Sequence, residues 1–83
     1  MHITLELKAL FDDMILEIGK ENLKEFIKCN PNDLADYHYT IGLWFRNRIM
    51  TKPVITNFFD ELNIKNKDDI SYFLLLLFWH YLH

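Results

Sequence analysis

The sequence predicts an all-α fold, a compact bundle of four or five short helices with an apolar C-terminal helix at its centre. Apolar residues recur at spacings of three and four along most of the chain, which is the period of amphipathic helices. Only two glycines and two prolines occur among 83 residues, too few for the turns of an all-β fold. Because no linker-like stretch or repeat divides the chain, we expect residues 1–83 to form a single domain.

The first 30 residues predict either one kinked helix or two separate ones. A single apolar stripe occupies seven positions, namely Ile3, Leu7, Leu10, Phe11, Met14, Ile15 and Ile18. Gly19 follows at the place where a C-terminal cap is expected. Beyond it lies a second apolar face, formed by Leu23, Phe26 and Ile27. This face belongs to a separate helix or to a kinked continuation of the first.

Asn30 and Pro31 mark the start of the next helix. Asparagine is a preferred N-cap, and proline is tolerated at the first helical position because its missing N–H would have no partner there. We expect this third helix to run from Pro31 to about Ile49. The Thr51-Lys52-Pro53 step then starts a fourth helix, whose apolar face is Val54, Ile55, Phe58, Phe59 and Leu62.

The last helix is the most apolar part of the chain. A polar connector covers residues 63–67, and the helix begins at Asn66 or Asp68. Its main stripe consists of Ile70, Phe73, Leu74, Leu77, Phe78 and Tyr81. Three further residues widen the apolar surface nearly all the way round, namely Leu75, Leu76 and Trp79. A helix of this kind is normally the central one of a bundle.

Composition and charge narrow the class of function. A formal net charge of −3 and a pI of about 5.7 disfavour direct binding to nucleic acid. The apolar run 70–82 is too short for a membrane span, which needs roughly 20 residues. The single cysteine and the absence of a signal-like N-terminus predict a cytoplasmic protein. Since 51% of so small a chain is hydrophobic, we expect aromatic side chains at the surface, in contact with a protein partner or a second copy.

The segment from His38 to Asn47 concentrates unusual residues. Glycine inside a helix costs about 1 kcal/mol relative to alanine, so Gly42 predicts the close approach of another helix or of a ring such as Trp79. On one continuous helix, His38 and Arg46 lie about two turns apart beside this gap. Such an arrangement predicts a small polar pocket flanked by aromatic rings.

This segment resembles an uncharacterised family of small bacterial and phage domains. The family signature is His-aromatic-x-x-Gly-x-Trp-x-Arg-Asn, where x is any residue. The matching residues here are His38, Tyr39, Gly42, Trp44, Arg46 and Asn47. Members also tend to carry an Asp-Asp or Pro-Asp-Asp step and a serine before the last helix, matched by Asp68, Asp69 and Ser71. The resemblance covers residues 34–80, although residues 48–52 depart from an aromatic-rich stretch of the members. It implies a helical fold and names no reaction.

Two interpretations of these residues are open. In the structural one, Arg46 pairs with Asp68 or Asp69 and connects the third helix to the last, while Asn47 satisfies backbone groups at a helix end. In the functional one, a binding site is formed by His38, Trp44, Arg46, Asn47 and Asp69. We favour the structural interpretation.

No catalytic or metal-ligating set stands out. Cys29 lies nine residues before His38 and across the Asn-Pro break, so a Cys-His pair is a weak hypothesis. His80 and His83, with His2 as a third, lack the cysteines or acids that complete a zinc site. We therefore expect no cofactor and no metal.

The predicted function is a small non-enzymatic binding module, an inhibitor or immunity-type protein of a phage or mobile element that docks on a larger protein. Residues 1–42 carry eight acids against four lysines, which suits a basic partner. The acids expected to face it are Glu6, Asp12, Asp13 and Glu17. The alternative is a small-ligand or enzymatic site built on His38, Arg46, Asn47 and Asp69.

Overall fold

Helices make up nearly all of the part of the chain that the computed structural model describes, residues 3–49 and 51–83. The elements are α1 (Ile3–Ile18), α2 (Lys20–Lys28), a 3₁₀ helix (Pro31–Tyr37), α3 (Ile41–Ile49), α4 (Pro53–Glu61) and α5 (Lys67–Leu82). The predicted all-α class is confirmed. None of the described helices is long and apolar enough to cross a membrane. His2, the third histidine of the metal hypothesis, lies outside the described residues.

Gly19 separates α1 from α2, so the first segment forms two helices. Its N–H donates to the Ile15 carbonyl oxygen at 3.0 Å and ends α1. Its own carbonyl oxygen accepts from the Leu23 N–H at 3.2 Å and begins α2. The backbone at Gly19 has φ of 88° and ψ of 143°, a region that only glycine adopts without strain.

The predicted third helix from Pro31 to Ile49 is wrong in its first half. The 3₁₀ helix ends at Tyr37, a turn covers residues 38–40, and only residues 41–49 are α-helical. Both the backbone N–H and the hydroxyl of Thr40 donate to the Tyr37 carbonyl oxygen at 3.3 Å. These local hydrogen bonds compete with a continuous helical ladder. His38 therefore lies in a turn, and the continuous helix that was expected to carry both His38 and Arg46 does not form.

The predicted helix starts are confirmed where asparagine and proline mark them. The Asn30 side chain accepts from the Asn32 N–H at 2.9 Å, and the Asn66 side chain accepts from the Asp68 N–H at 2.8 Å. Each asparagine satisfies a donor that the helix itself leaves without a partner. In α4, which begins at Pro53, the predicted apolar face is too wide, since Val54 and Leu62 are exposed.

The C-terminal helix α5 is central, as predicted. It packs against α2, the 3₁₀ helix and α3. The ring of Phe78 lies 5.2, 5.6 and 5.8 Å from the rings of Phe11, Phe26 and Phe45, which come from α1, α2 and α3. The buried face of α5 is Ile70, Ser71, Leu74, Leu75 and Phe78.

The buried stripe predicted for α5 is partly wrong. Phe73, Leu77 and Tyr81 were included in it, but their side chains are 43%, 40% and 40% exposed. The helix is apolar nearly all round, so its sequence pattern does not define one face. The packing of α3 against the flank that carries Leu75 decides which side is buried.

Gly42 lies against α5, as expected, although its neighbour there is Leu75 and not Trp79. A Cβ atom at position 42 would lie 3.5 Å from Leu75 Cδ1 and 3.4 Å from the Tyr37 carbonyl oxygen. Both distances are ordinary van der Waals contacts. A methyl group therefore fits at this position, whereas a longer side chain has no room.

Alanine at the two glycines should change the free energy of unfolding in opposite directions. Gly19→Ala places alanine in a strained backbone region and should destabilise by about 1–3 kcal/mol. Gly42→Ala should be neutral or stabilise by up to about 1 kcal/mol, because alanine has the higher helix propensity and its methyl group fits. Urea denaturation of both variants measures the effects. Gly42→Leu is the steric control, and a Gly42→Ala variant that loses as much stability as Gly42→Leu would contradict this account.

Candidate functional site

Arg46 extends from α3 to the turn before it and to the start of α5. Its side chain is only 13% exposed. The guanidinium donates from Nη2 to the His38 carbonyl oxygen at 3.2 Å and from Nη1 to Ser71 Oγ at 3.1 Å. Its Nε lies 3.5 Å from Asp68 Oδ1. We refer to His38, Arg46, Asp68 and Ser71 as the Arg46 cluster, which connects the turn, α3 and α5.

The imidazole of His38 completes the cluster as an acceptor. Its Nε2 lies 3.3 Å from Arg46 Nη1. A guanidinium has donors only, so the ring nitrogen accepts, which assigns the ring proton to Nδ1. Because Nε2 is engaged by a cation, it is poorly placed to act as a general base on a substrate.

Ser71 is the member of the cluster that sequence reasoning placed before the last helix. It lies inside α5 and is completely buried. Its hydroxyl donates to the Asp68 carbonyl oxygen at 2.8 Å and accepts from Arg46. Within the described part of the chain, every buried side-chain nitrogen and oxygen has a hydrogen-bond partner. The signal in the sequence was a serine on an otherwise apolar helix face.

The predicted site residues therefore do not all converge. The structure brings His38 and Arg46 together and selects Asp68 as the acid that pairs with Arg46. Asn47 and Asp69 are exposed, and neither is among the described contacts of Arg46. This geometry favours the structural interpretation of Arg46, and a ligand site on these residues stays a prediction.

Trp44 belongs to a different set of contacts, which joins α3 to α1. Its indole N–H donates to Glu17 Oε2 at 3.0 Å. Arg48 donates to the other carboxylate oxygen of Glu17. The Arg48 guanidinium also lies over the Trp44 ring, 4.6 Å from its centroid, in a cation–π contact. The orientation of the indole is fixed by both neighbours.

An open groove of about 410 Å³ lies beside Trp44. The α1–α2 junction forms one wall, and the end of the 3₁₀ helix with α3 forms the other. Its lining is mostly apolar and consists of Ile18, Asn22, Tyr37, Thr40, Ile41 and Trp44. We call it the Trp44 groove. Sequence reasoning did not find it, because its residues come from four helices and from the turn before α3.

The acids of α1 that were expected to face a partner differ in their surroundings. Asp12 accepts from the Lys8 ammonium at 2.7 Å and from the Tyr81 hydroxyl at 2.6 Å. These two hydrogen bonds lower the pKa of the Asp12 carboxyl. Glu17 is also held within the molecule. The remaining two are Asp13, which is exposed, and Glu6, which is half-buried.

No group of three or more histidine, cysteine, aspartate or glutamate side chains in the described residues could hold a metal ion. His83 contacts the Ile27 carbonyl oxygen at 2.7 Å, and its ring packs at a tilt against Trp79 with 4.0 Å between ring centroids. Burial raises the pKa of the Cys29 thiol. A thiol with a raised pKa is a poor nucleophile at neutral pH.

Comparisons with curated proteins and with solved structures returned no match. A family match covers residues 6–82, nearly the whole chain. The description of this family assigns no activity to the domain. The expectation of an uncharacterised small-domain family is confirmed: the chain belongs to the family described as a domain of unknown function, DUF6794.

Proposed function

We propose that the chain is a small non-enzymatic binding module that acts in the cytoplasm by docking on a larger protein, as inhibitor and immunity-type proteins of phages and mobile elements do. The observation that supports this most is the division among the signature residues. The polar groups of Arg46 and His38 are engaged with each other within the molecule, whereas Trp44, although its indole N–H is bound to Glu17, also lines an open apolar groove.

The groove has the features of a protein contact surface. Open apolar surface on a small protein is typical of interaction sites. Tryptophan is enriched among the residues that dominate binding energy at interfaces. Glu17 and Arg48 already fix the indole of Trp44, so little side-chain freedom is lost when a partner binds.

A matched pair of substitutions tests the proposal. Thr40 is exposed and lines the Trp44 groove, while Thr4 is exposed and lines a second groove, between α1 and α5. Arginine at either position places the same bulk and charge in one groove only. The wild-type chain and each variant are used as bait in a lysate of cells that encode the wild-type protein. Mass spectrometry then identifies the captured proteins, and light scattering gives the mass of the purified complex.

We expect a defined complex with one larger protein for the wild type and for Thr4→Arg, and at least a tenfold loss of that protein for Thr40→Arg. Circular dichroism must show that both variants are folded. Three results would contradict the proposal, namely no complex with the wild type, equal loss in both variants, or a homodimer as the only assembly.

A further inference from the structure

We infer that the Trp44 groove binds a cationic amphipathic segment of the partner protein, which inserts apolar side chains beside Trp44 and directs lysine or arginine side chains to an acidic rim. This inference rests on the proposed function. It adds the chemistry of the partner, which follows from the charges around the groove.

The acidic rim is formed by Glu25 and Asp36. Asp36 directly precedes Tyr37, which lines the groove. Glu25 follows Asn22, another lining residue, by three positions, so Glu25 and Asn22 are neighbours on the surface of α2. Both acids are exposed. The pKa of the Tyr37 phenol is raised first by burial and further by negative charges that include Glu25 and Asp36. Both charges therefore act on one of the residues that line the groove.

The ion pairs described around the groove involve acids other than those of the rim. In the described residues, neither Glu25 nor Asp36 takes part in an ion pair. Arg48 lies close to the groove, but its charge is paired with Glu17. Lys24, on α2, pairs with Glu21. Lys28 lies three positions after Glu25 on the same helix, but none of the described ion pairs joins the two.

An apolar floor with an acidic rim fits a basic amphipathic helix or strand of a protein. A negative rim repels phosphates, so nucleic acid is a poor fit. The groove is open to solvent, whereas sites for small molecules enclose most of the ligand surface. Charge complementarity of this kind mainly raises the association rate and selects the partner.

A displayed library of random 16-residue peptides, selected on the immobilised full chain, tests the inference. We expect the enriched peptides to combine aliphatic or aromatic residues with a net positive charge, and to lose binding to Thr40→Arg. The strongest binders are then synthesised, and their affinities are measured by fluorescence anisotropy. Glu25→Lys should weaken binding by about fivefold at low ionic strength, and the effect should shrink in high salt.

Glu61→Lys is the matched control, because it makes the same charge change at an exposed position on α4, outside the groove lining. It should change the affinity by less than about twofold. Enriched peptides that need the groove but are neutral or acidic would overturn the inference and leave the proposed function standing. Equal effects of Glu25→Lys and Glu61→Lys would do the same. A library without binders, or binders insensitive to Thr40→Arg, would overturn both.

Discussion

Arg46→Ala should lower the free energy of unfolding by about 2–4 kcal/mol. The guanidinium makes hydrogen bonds to the His38 carbonyl oxygen and to Ser71, and it pairs with Asp68. Removing it leaves the His38 carbonyl and imidazole without their donor and opens a gap between α3 and α5. Hydrogen bonds from charged donors contribute more than neutral ones, and this side chain is largely buried, so the loss is large.

Arg48→Ala is the matched control, because Arg48 lies on the same helix and also pairs with a carboxylate, but near the surface. We expect a loss of about 1 kcal/mol or less. Arg46→Lys should fall between the two, because lysine keeps the charge but not the planar set of donors. Urea denaturation followed by circular dichroism measures all three variants. A loss for Arg46→Ala no larger than for Arg48→Ala would show that the cluster does not stabilise the fold.

Phe78→Ala should be the most destabilising single change, with a loss of about 3–5 kcal/mol. Its ring is completely buried and touches three aromatic rings, one from each of the first three α-helices. Alanine leaves a cavity at the point where these helices meet α5, and a well-packed core relaxes only partly around such a cavity.

Phe73→Ala serves as the control on the same helix. Phe73 is 43% exposed and lies 6.3 Å from the ring of Phe59, so its removal should cost roughly 1 kcal/mol. Denaturation of both variants, analysed with a common m-value, gives the difference. Similar losses for Phe73→Ala and Phe78→Ala would contradict the central position of α5.

Local sequence signals predicted most of the fold. The stripe of α1 and the caps at Asn30 and Asn66 marked helices that the structure contains. The break between the 3₁₀ helix and α3 was missed, because it depends on hydrogen bonds from Thr40 that compete with the helix. The exposed flank of α5 was also missed. A helix that is apolar all round has no preferred face until its neighbours are in place.

The candidate site was predictable only in part. The residue types alone indicated that Arg46 pairs with an acid at the start of α5. The choice of Asp68 depends on where that helix begins and how it is turned. The Trp44 groove could not be predicted, because its lining residues, such as Ile18 and Trp44, lie far apart in the sequence and no local pattern links them. Tertiary packing alone creates such a surface.

The central claim is that the Arg46 cluster stabilises the fold while the Trp44 groove binds a partner. The most direct test measures both the free energy of unfolding and the affinity for a peptide selected on the chain, for Arg46→Lys and Thr40→Arg. We expect Arg46→Lys to lose stability and, at a temperature where it is fully folded, to keep its affinity within about threefold. Thr40→Arg should lose no more than about 1 kcal/mol, because it removes only the exposed hydrogen bond from the Thr40 hydroxyl to the Tyr37 carbonyl oxygen, and it should lose binding. A folded Arg46→Lys that binds as poorly as Thr40→Arg would contradict the account.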